Sequence, residues 1–66
     1  MTAVRTIPGL VFDVYFEGEA GMKSAIIYAY SVADMIRQMR EQFPSDVGAD
    51  GFYDHPITGD ECALDW

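Results

Sequence analysis

Apolar and polar residues alternate along the first clearly patterned segment of the chain, from Leu10 to Glu17. One side of an extended backbone would carry Leu10, Phe12, Val14 and Phe16. Because successive side chains of a β-strand point to opposite faces, this pattern predicts a strand with one buried face. The glycine-containing segment 17–21 then supplies turn residues, so the chain is expected to return as the second strand of an antiparallel hairpin.

The returning segment, 22–30, is rich in residues that favour strands and is apolar on both of its faces. Ile26 and Ile27 are neighbours in sequence and would therefore point to opposite faces of the sheet. Strands that are apolar on both faces are typical of positions covered on both sides. We therefore expect this second strand to lie deeper in the sheet than the first.

A helix is predicted to begin at Ser31, since Asp34 stands three residues later in the position of a capping-box acid. The helix would end before Pro44, because the residue that precedes a proline is disfavoured in helical geometry. One helix turn separates Arg37 from Glu41, a spacing that allows an ion pair. The apolar stripe expected to face the sheet consists of Val32, Met35, Ile36, Met39 and Phe43.

The last third of the chain is predicted to form a loop over 45–51 and two short strands, within 51–57 and 60–66. Pro56 cannot donate a hydrogen bond to a sheet, so the first of these strands should lie at an edge or stop at His55. In the second, one face would carry Cys62, Leu64 and Trp66. The expected fold is a single α+β domain over 1–66, a small antiparallel sheet packed on one helix in the order β-β-α-β-β.

Charge is distributed unevenly along the chain. All four basic residues lie at or before Arg40, where four carboxylates balance them, so the formal charge of -7 belongs to the last 26 residues. A directed negative potential attracts cationic partners and repels a phosphate backbone, which disfavours direct binding of nucleic acid. Half of the residues are hydrophobic, which argues for a folded domain despite this charge.

The residue types needed for metal or catalytic chemistry are scarce. Cys62 and His55 are single residues of their kinds, and one chain thus lacks the ligands of a zinc site. The aspartates around Gly51 do not follow the alternate spacing of an EF-hand loop. A pair of His55 and Cys62 across the last hairpin remains an alternative, although Asp54 would point away from His55. We expect no enzymatic activity, no metal site and no cofactor, with Cys62 packed as a small hydrophobe.

A single cysteine rules out an intrachain disulfide and fits a reducing compartment, although a disulfide between two chains through Cys62 stays open. The chain contains no run of about 18 apolar residues and no charged N-terminal region followed by a long apolar one. We expect a cytoplasmic protein without a membrane segment, either a monomer or a weak homodimer.

In size, acidity, lone cysteine and compact α+β pattern the chain resembles the small inhibitors that phages encode against bacterial defence, above all anti-CRISPR proteins. The resemblance implies a target, namely a CRISPR effector subunit with basic nucleic-acid-binding residues. If the protein is phage-encoded, it would act in the cytoplasm of the host cell. Arg37 and Arg40 depart from a uniformly acidic mimic and leave room for a second contact face.

The leading hypothesis is an acidic binding protein that inhibits a nucleic-acid-processing complex by covering its basic binding or recruitment surface. The alternative is an antitoxin-like or adaptor module that dimerises through a free sheet edge and masks a basic protein. Tyr53 would serve as an aromatic anchor if it is exposed among the acids. The candidate partner-binding residues are Asp46, Asp50, Tyr53, Asp54, Asp60, Glu61 and Asp65.

Overall fold

A computed structural model describes residues 9–66; residues 1–8, part of the predicted domain 1–66, lie outside the described residues. The elements are strands β1 (Leu10–Gly18) and β2 (Gly21–Ala29), helix α1 (Val32–Gln42), a short 3-10 helix (Pro44–Asp46), and strands β3 (Gly51–Asp54) and β4 (Glu61–Ala63). The four strands form one antiparallel sheet, which confirms the α+β class. The element order is roughly consistent with the predicted one, with a 3-10 helix added between α1 and β3.

The strands lie side by side in the order β2-β1-β3-β4. β1 therefore occupies an interior position between β2 and β3, and β2 forms an edge of the sheet. The prediction that β2 lies deeper than β1 is wrong. Apolar side chains on both faces indicate what covers a strand from above and below, and they do not specify which strand pairs beside it.

The hydrophobic core lies between the sheet and α1. The predicted inward residues of β1 are fully buried at Phe12, Val14 and Phe16, and the helix contributes Met35 and Met39, which are also fully buried. The other members of the predicted helix stripe pack against this core: Val32, Ile36 and Phe43. The apolar stripe of α1 is thus confirmed, and the helix covers only one face of the sheet.

The start of α1 is held by reciprocal side-chain hydrogen bonds. Ser31 Oγ accepts the backbone N–H of Asp34 at 3.1 Å, and Asp34 Oδ2 accepts the N–H of Tyr30 at 3.0 Å. In a standard capping box this second bond comes from the backbone N–H of the N-cap residue, which here is Ser31. In this protein the donor is the N–H of the preceding residue, Tyr30. The Tyr30 N–H, followed by the neighbouring Arg37 guanidinium, lowers the pKa of Asp34. Arg37 also contacts Glu41 at 3.0 Å, as its spacing predicts.

The C-terminal segment returns to the core after two short strands. β3 ends at Asp54, before Pro56, and β4 contains only three residues. The predicted inward side chains nevertheless face the core, where Leu64 is buried and Cys62 and Trp66 pack against it. The Trp66 ring meets Phe16 edge to face at 5.2 Å, and its Nε1–H donates to the carbonyl of Ala49 at 2.9 Å.

Candidate partner-binding face

The side of the sheet opposite α1, called the open face below, carries a row of carboxylates across three neighbouring strands. The strand registers place Asp13 of β1 beside Asp54 of β3, and Asp54 beside Glu61 of β4. All three side chains are exposed. Since neighbouring strands lie about 4.8 Å apart, these three residues form a closely spaced first acidic row.

A second row follows at the other end of the same face. The N–H of Glu17 donates to the carbonyl of Asp50 at 2.8 Å, and the N–H of Leu64 donates to the carbonyl of Gly51 at 2.9 Å. These bonds continue the β1–β3 and β3–β4 registers beyond the short strands, so that Glu17, Asp50 and Asp65 align. All three are exposed. They form the second acidic row, about 13 Å from the first at about 3.3 Å per strand residue.

Two aromatic rings lie between the acidic rows. Tyr15 of β1 and Phe52 of β3 stand opposite each other, and their rings stack with centroids 5.2 Å apart. On the edge strand Ser24 stands opposite Tyr15, while the exposed apolar side chains of Ile26 and Met22 stand opposite Asp13 and Glu17 of the two rows. The open face therefore consists of an aromatic strip bordered by two acidic rows.

Neighbouring carboxylates on one sheet face repel each other, which makes this arrangement unfavourable in the free protein. Strands β1, β3 and β4 contain no lysine or arginine. The ion pairs formed within residues 9–66 involve Asp34, Glu41 and Asp46, none of which belongs to the acidic rows. No cation of the described residues therefore compensates the negative potential of the open face, which would attract an external cationic group.

Four predicted partner-binding residues meet on the open face: Asp50, Asp54, Glu61 and Asp65. Asp60 is exposed in the preceding turn. Asp46 lies elsewhere, with 7% of its surface exposed, and its Oδ2 accepts from Lys23 Nζ at 2.9 Å. Its Oδ1 accepts the N–H of Glu19 at 3.2 Å. The Lys23 hydrogen bond lowers the pKa of Asp46. The expectation that Asp46 belongs to an exposed acidic patch is wrong, because Lys23 neutralises it within the fold.

Tyr53 also differs from the prediction. It faces the core opposite Val14, is only 7% exposed, and meets the Phe12 ring edge to face at 5.9 Å. Burial raises the pKa of its phenol. The condition for Tyr53 to serve as an anchor, exposure among the acids, is not met, because strand alternation turns the preceding residue, Phe52, to the open face instead.

The partner-binding residues predicted from the sequence do not include Asp13, Tyr15, Glu17 and Phe52. The alternation of β1 had already placed the first three of these opposite the core. Their joining with the C-terminal acids depends on the pairing of β1 with β3, two segments separated by the helix. No local pattern specifies that pairing.

The residues considered for metal or catalytic chemistry have other partners. In the part of the chain that the structure describes, no three His, Cys, Asp or Glu residues are placed to hold a metal ion. His55 Nδ1 accepts the N–H groups of Ile57 at 3.2 Å and Thr58 at 3.4 Å. Cys62 stands opposite Tyr53, and its thiol contacts the carbonyl of Asp60 at 3.7 Å.

Over residues 9–66, none of the helical structure has the length and apolar character needed to cross a bilayer. Comparison of the chain with family models, curated proteins and solved structures found no match.

Proposed function

We propose that this chain is an acidic binding protein that inhibits a nucleic-acid-processing complex, such as a CRISPR effector, by covering a basic surface of that complex. The observation that carries the proposal is the pair of acidic rows on the open face. A surface of this kind suits partners whose lysines and arginines are placed to contact phosphates.

The spacing of the carboxylates supports mimicry of nucleic acid. B-form DNA carries one negative charge per about 1.7 Å of helix axis, which gives about eight charges over a length of about 13 Å. The open face presents six carboxylates over a similar length. A groove that binds a phosphate backbone would thus meet a comparable charge density on this protein.

The aromatic strip favours arginine over lysine as the partner residue. A guanidinium group stacks on aromatic rings and also forms paired hydrogen bonds with carboxylates. Tyr15 and Phe52 each lie two residues along their own strand from carboxylates of both acidic rows, a separation of about 6.6 Å. An arginine side chain lying across the strip would therefore make both kinds of contact at once.

The proposal is tested with two variants of equal charge. The face variant combines Asp54→Asn with Glu61→Gln, and the control variant combines Glu19→Gln with Glu41→Gln, both control residues being exposed and outside the acidic rows. Each variant changes the formal charge by two units. Binding that depends on net charge alone would respond equally to both, whereas binding through the open face would respond to the first.

Tagged wild-type protein is used to capture partners from a bacterial lysate at low and at high salt. We expect basic DNA- or RNA-handling subunits that elute with salt and whose nucleic-acid binding the protein competes away. The face variant should weaken affinity for the captured subunit about three- to tenfold and the control variant much less. Equal loss in both variants, or captured partners without a basic surface, would contradict the proposal.

A further inference from the structure

Among residues 9–66, no strand pairs with the outer edge of β2, which is nine residues long. Along an antiparallel strand, backbone N–H and C=O groups point alternately toward one neighbour and the other. In β1 the Glu17 N–H points toward β3, so its register partner Met22 and every second residue of β2 direct their backbone groups outward. The residues at these outward positions are Met22, Ser24, Ile26 and Tyr28.

One end of this edge is already capped. The side-chain amide of Gln38 on α1 donates to the carbonyl of Tyr28 at 2.8 Å. This bond occupies the outward acceptor nearest the end of β2 and leaves the backbone groups of Met22, Ser24 and Ile26 for a further strand. Any strand that pairs here is therefore confined to the first two thirds of β2.

The edge lacks the features that usually prevent strand addition. β2 contains no proline and no carboxylate, and Lys23 is its single charged residue. An inward lysine can protect an edge, but Lys23 Nζ is bound to Asp46 at 2.9 Å, so its charge is already compensated. Met22 and Ile26, which are 65% and 63% exposed, line the open side of the edge. The residues of β2 are typical of an interior strand, but β2 is an edge strand of this sheet.

We propose that β2 pairs with β2 of a second copy of this chain, antiparallel and with the two-fold axis at Ser24. This register uses the outward backbone groups from Met22 to Ile26 and none beyond them. It places Met22 of each copy opposite Ile26 of the other copy, so these exposed apolar side chains pack in two equivalent pairs. A two-fold interface requires such self-complementarity. At its centre the Ser24 side chains of the two copies stand opposite each other, and they are small enough to fit there.

Charge selects β2 over the other edge of the sheet. β4 carries Glu61 of the first acidic row and is followed by Asp65, so its edge would bring like charges of two copies together. β2 is free of acids, and pairing there keeps the acidic rows of the two copies on opposite sides of the junction. The product is a continuous sheet of eight strands with both open faces on one side and both helices on the other.

This pairing is independent of the proposed function and is tested on the protein alone. Sedimentation equilibrium should show a concentration-dependent dimer of the wild-type chain. Ser24→Lys places two like charges side by side at the axis and should raise the dimer dissociation constant about tenfold or more. Ser45→Lys, at an exposed residue of the 3-10 helix, adds the same charge elsewhere and should leave the dimer intact.

A monomer at every accessible concentration would overturn the inference, as would a dimer unaffected by Ser24→Lys. If circular dichroism shows that Ser24→Lys does not fold, Ile26→Lys on the same exposed row takes its place.

The register is tested by cross-linking in a Cys62→Ser background, which removes the natural thiol. Opposing residues of an antiparallel pair lie about 5.5 Å apart between Cα atoms, within reach of a disulfide. Ser24→Cys should therefore oxidise to a covalent dimer much faster than Ser45→Cys. Equal rates for the two thiols would refute pairing at Ser24. A dimer of the unaltered chain that is linked through Cys62 would also refute pairing at Ser24.

Discussion

Asp54 of β3 lies directly opposite Glu61 of β4 on the open face, and no cation pairs with either carboxylate within residues 9–66. In this register Asp54 and Glu61 form a non-hydrogen-bonded pair, the antiparallel arrangement in which opposing side chains lie closest. Two like charges in this position raise the free energy of the folded state. The folded protein therefore contains an unfavourable electrostatic repulsion at the centre of the first acidic row.

Replacing one member of this pair should make the protein more stable. Asp54→Asn removes the repulsion from both Asp13 and Glu61, and we expect the free energy of unfolding to rise by about 0.2–1 kcal/mol. Urea unfolding measures this change, which should shrink as added salt screens the charges.

Asp60→Asn is the matched control, because Asp60 is exposed in the turn and outside both rows. Its effect should stay within the roughly 0.5 kcal/mol typical of surface changes. A destabilising Asp54→Asn would show that the row is compensated in a way that the register does not reveal. Lower affinity for a basic partner in the more stable variant would link the stored repulsion to binding.

The Lys23–Asp46 ion pair makes the stability of the fold depend on pH. The Lys23 hydrogen bond lowers the pKa of Asp46 in the folded protein. A carboxyl group with a lowered folded-state pKa stabilises the fold above its unfolded pKa of about 4 and loses this contribution as the pH falls through the folded value. Asp46→Asn should therefore lower the melting temperature by several degrees at pH 7 and have little effect near pH 2.

Lys23→Met separates the ion pair from the other bonds of Asp46, since the Glu19 N–H still contacts the carboxylate in this variant. The combined variant should lose less stability at pH 7 than the two single variants together. A difference between Asp46→Asn and wild type that persists unchanged at pH 2 would mean that the carboxylate charge is not responsible.

Gly51 allows β3 to approach β1 closely. A Cβ atom added at this position would overlap the Tyr15 carbonyl and come within 2.8 Å of Phe16 Cβ. Gly51→Ala should therefore cost about 1–3 kcal/mol, the usual range for overpacking, measured by urea unfolding. Gly9→Ala is the control, because a Cβ there meets nothing within 4 Å. Equal stability of the two variants would show that β3 can shift away from β1 without loss.

The cap of α1 can be tested separately from the sheet. Ser31→Ala removes the acceptor for the Asp34 N–H and should lower the free energy of unfolding by about 1 kcal/mol. Ser45→Ala, at an exposed position of the 3-10 helix, should change it far less. An unchanged stability in Ser31→Ala would indicate that the Asp34 side chain alone holds the start of the helix.

Local sequence patterns were sufficient for the hairpin, the helix and the inward residues of β1 and α1. The alternation of β1, the apolar stripe of α1 and the inward positions of Cys62, Leu64 and Trp66 all agree with the structure. These features depend on the two-residue period of a strand and the 3.6-residue period of a helix, which the sequence displays directly. The acidic character of the C-terminal segment is likewise a property of composition.

Tertiary structure decided which strands became neighbours, and thereby which carboxylates lie together. Pairing β1 with β3 joins Asp13 to Asp54 and turns Tyr53 inward, while the fold brings Asp46 to Lys23 and removes it from the acidic surface. It also leaves β2 at the border, although its residues resemble those of an interior strand. The period of a pattern determines the face on which a side chain lies, whereas the identity of its neighbour depends on contacts between segments distant in the chain.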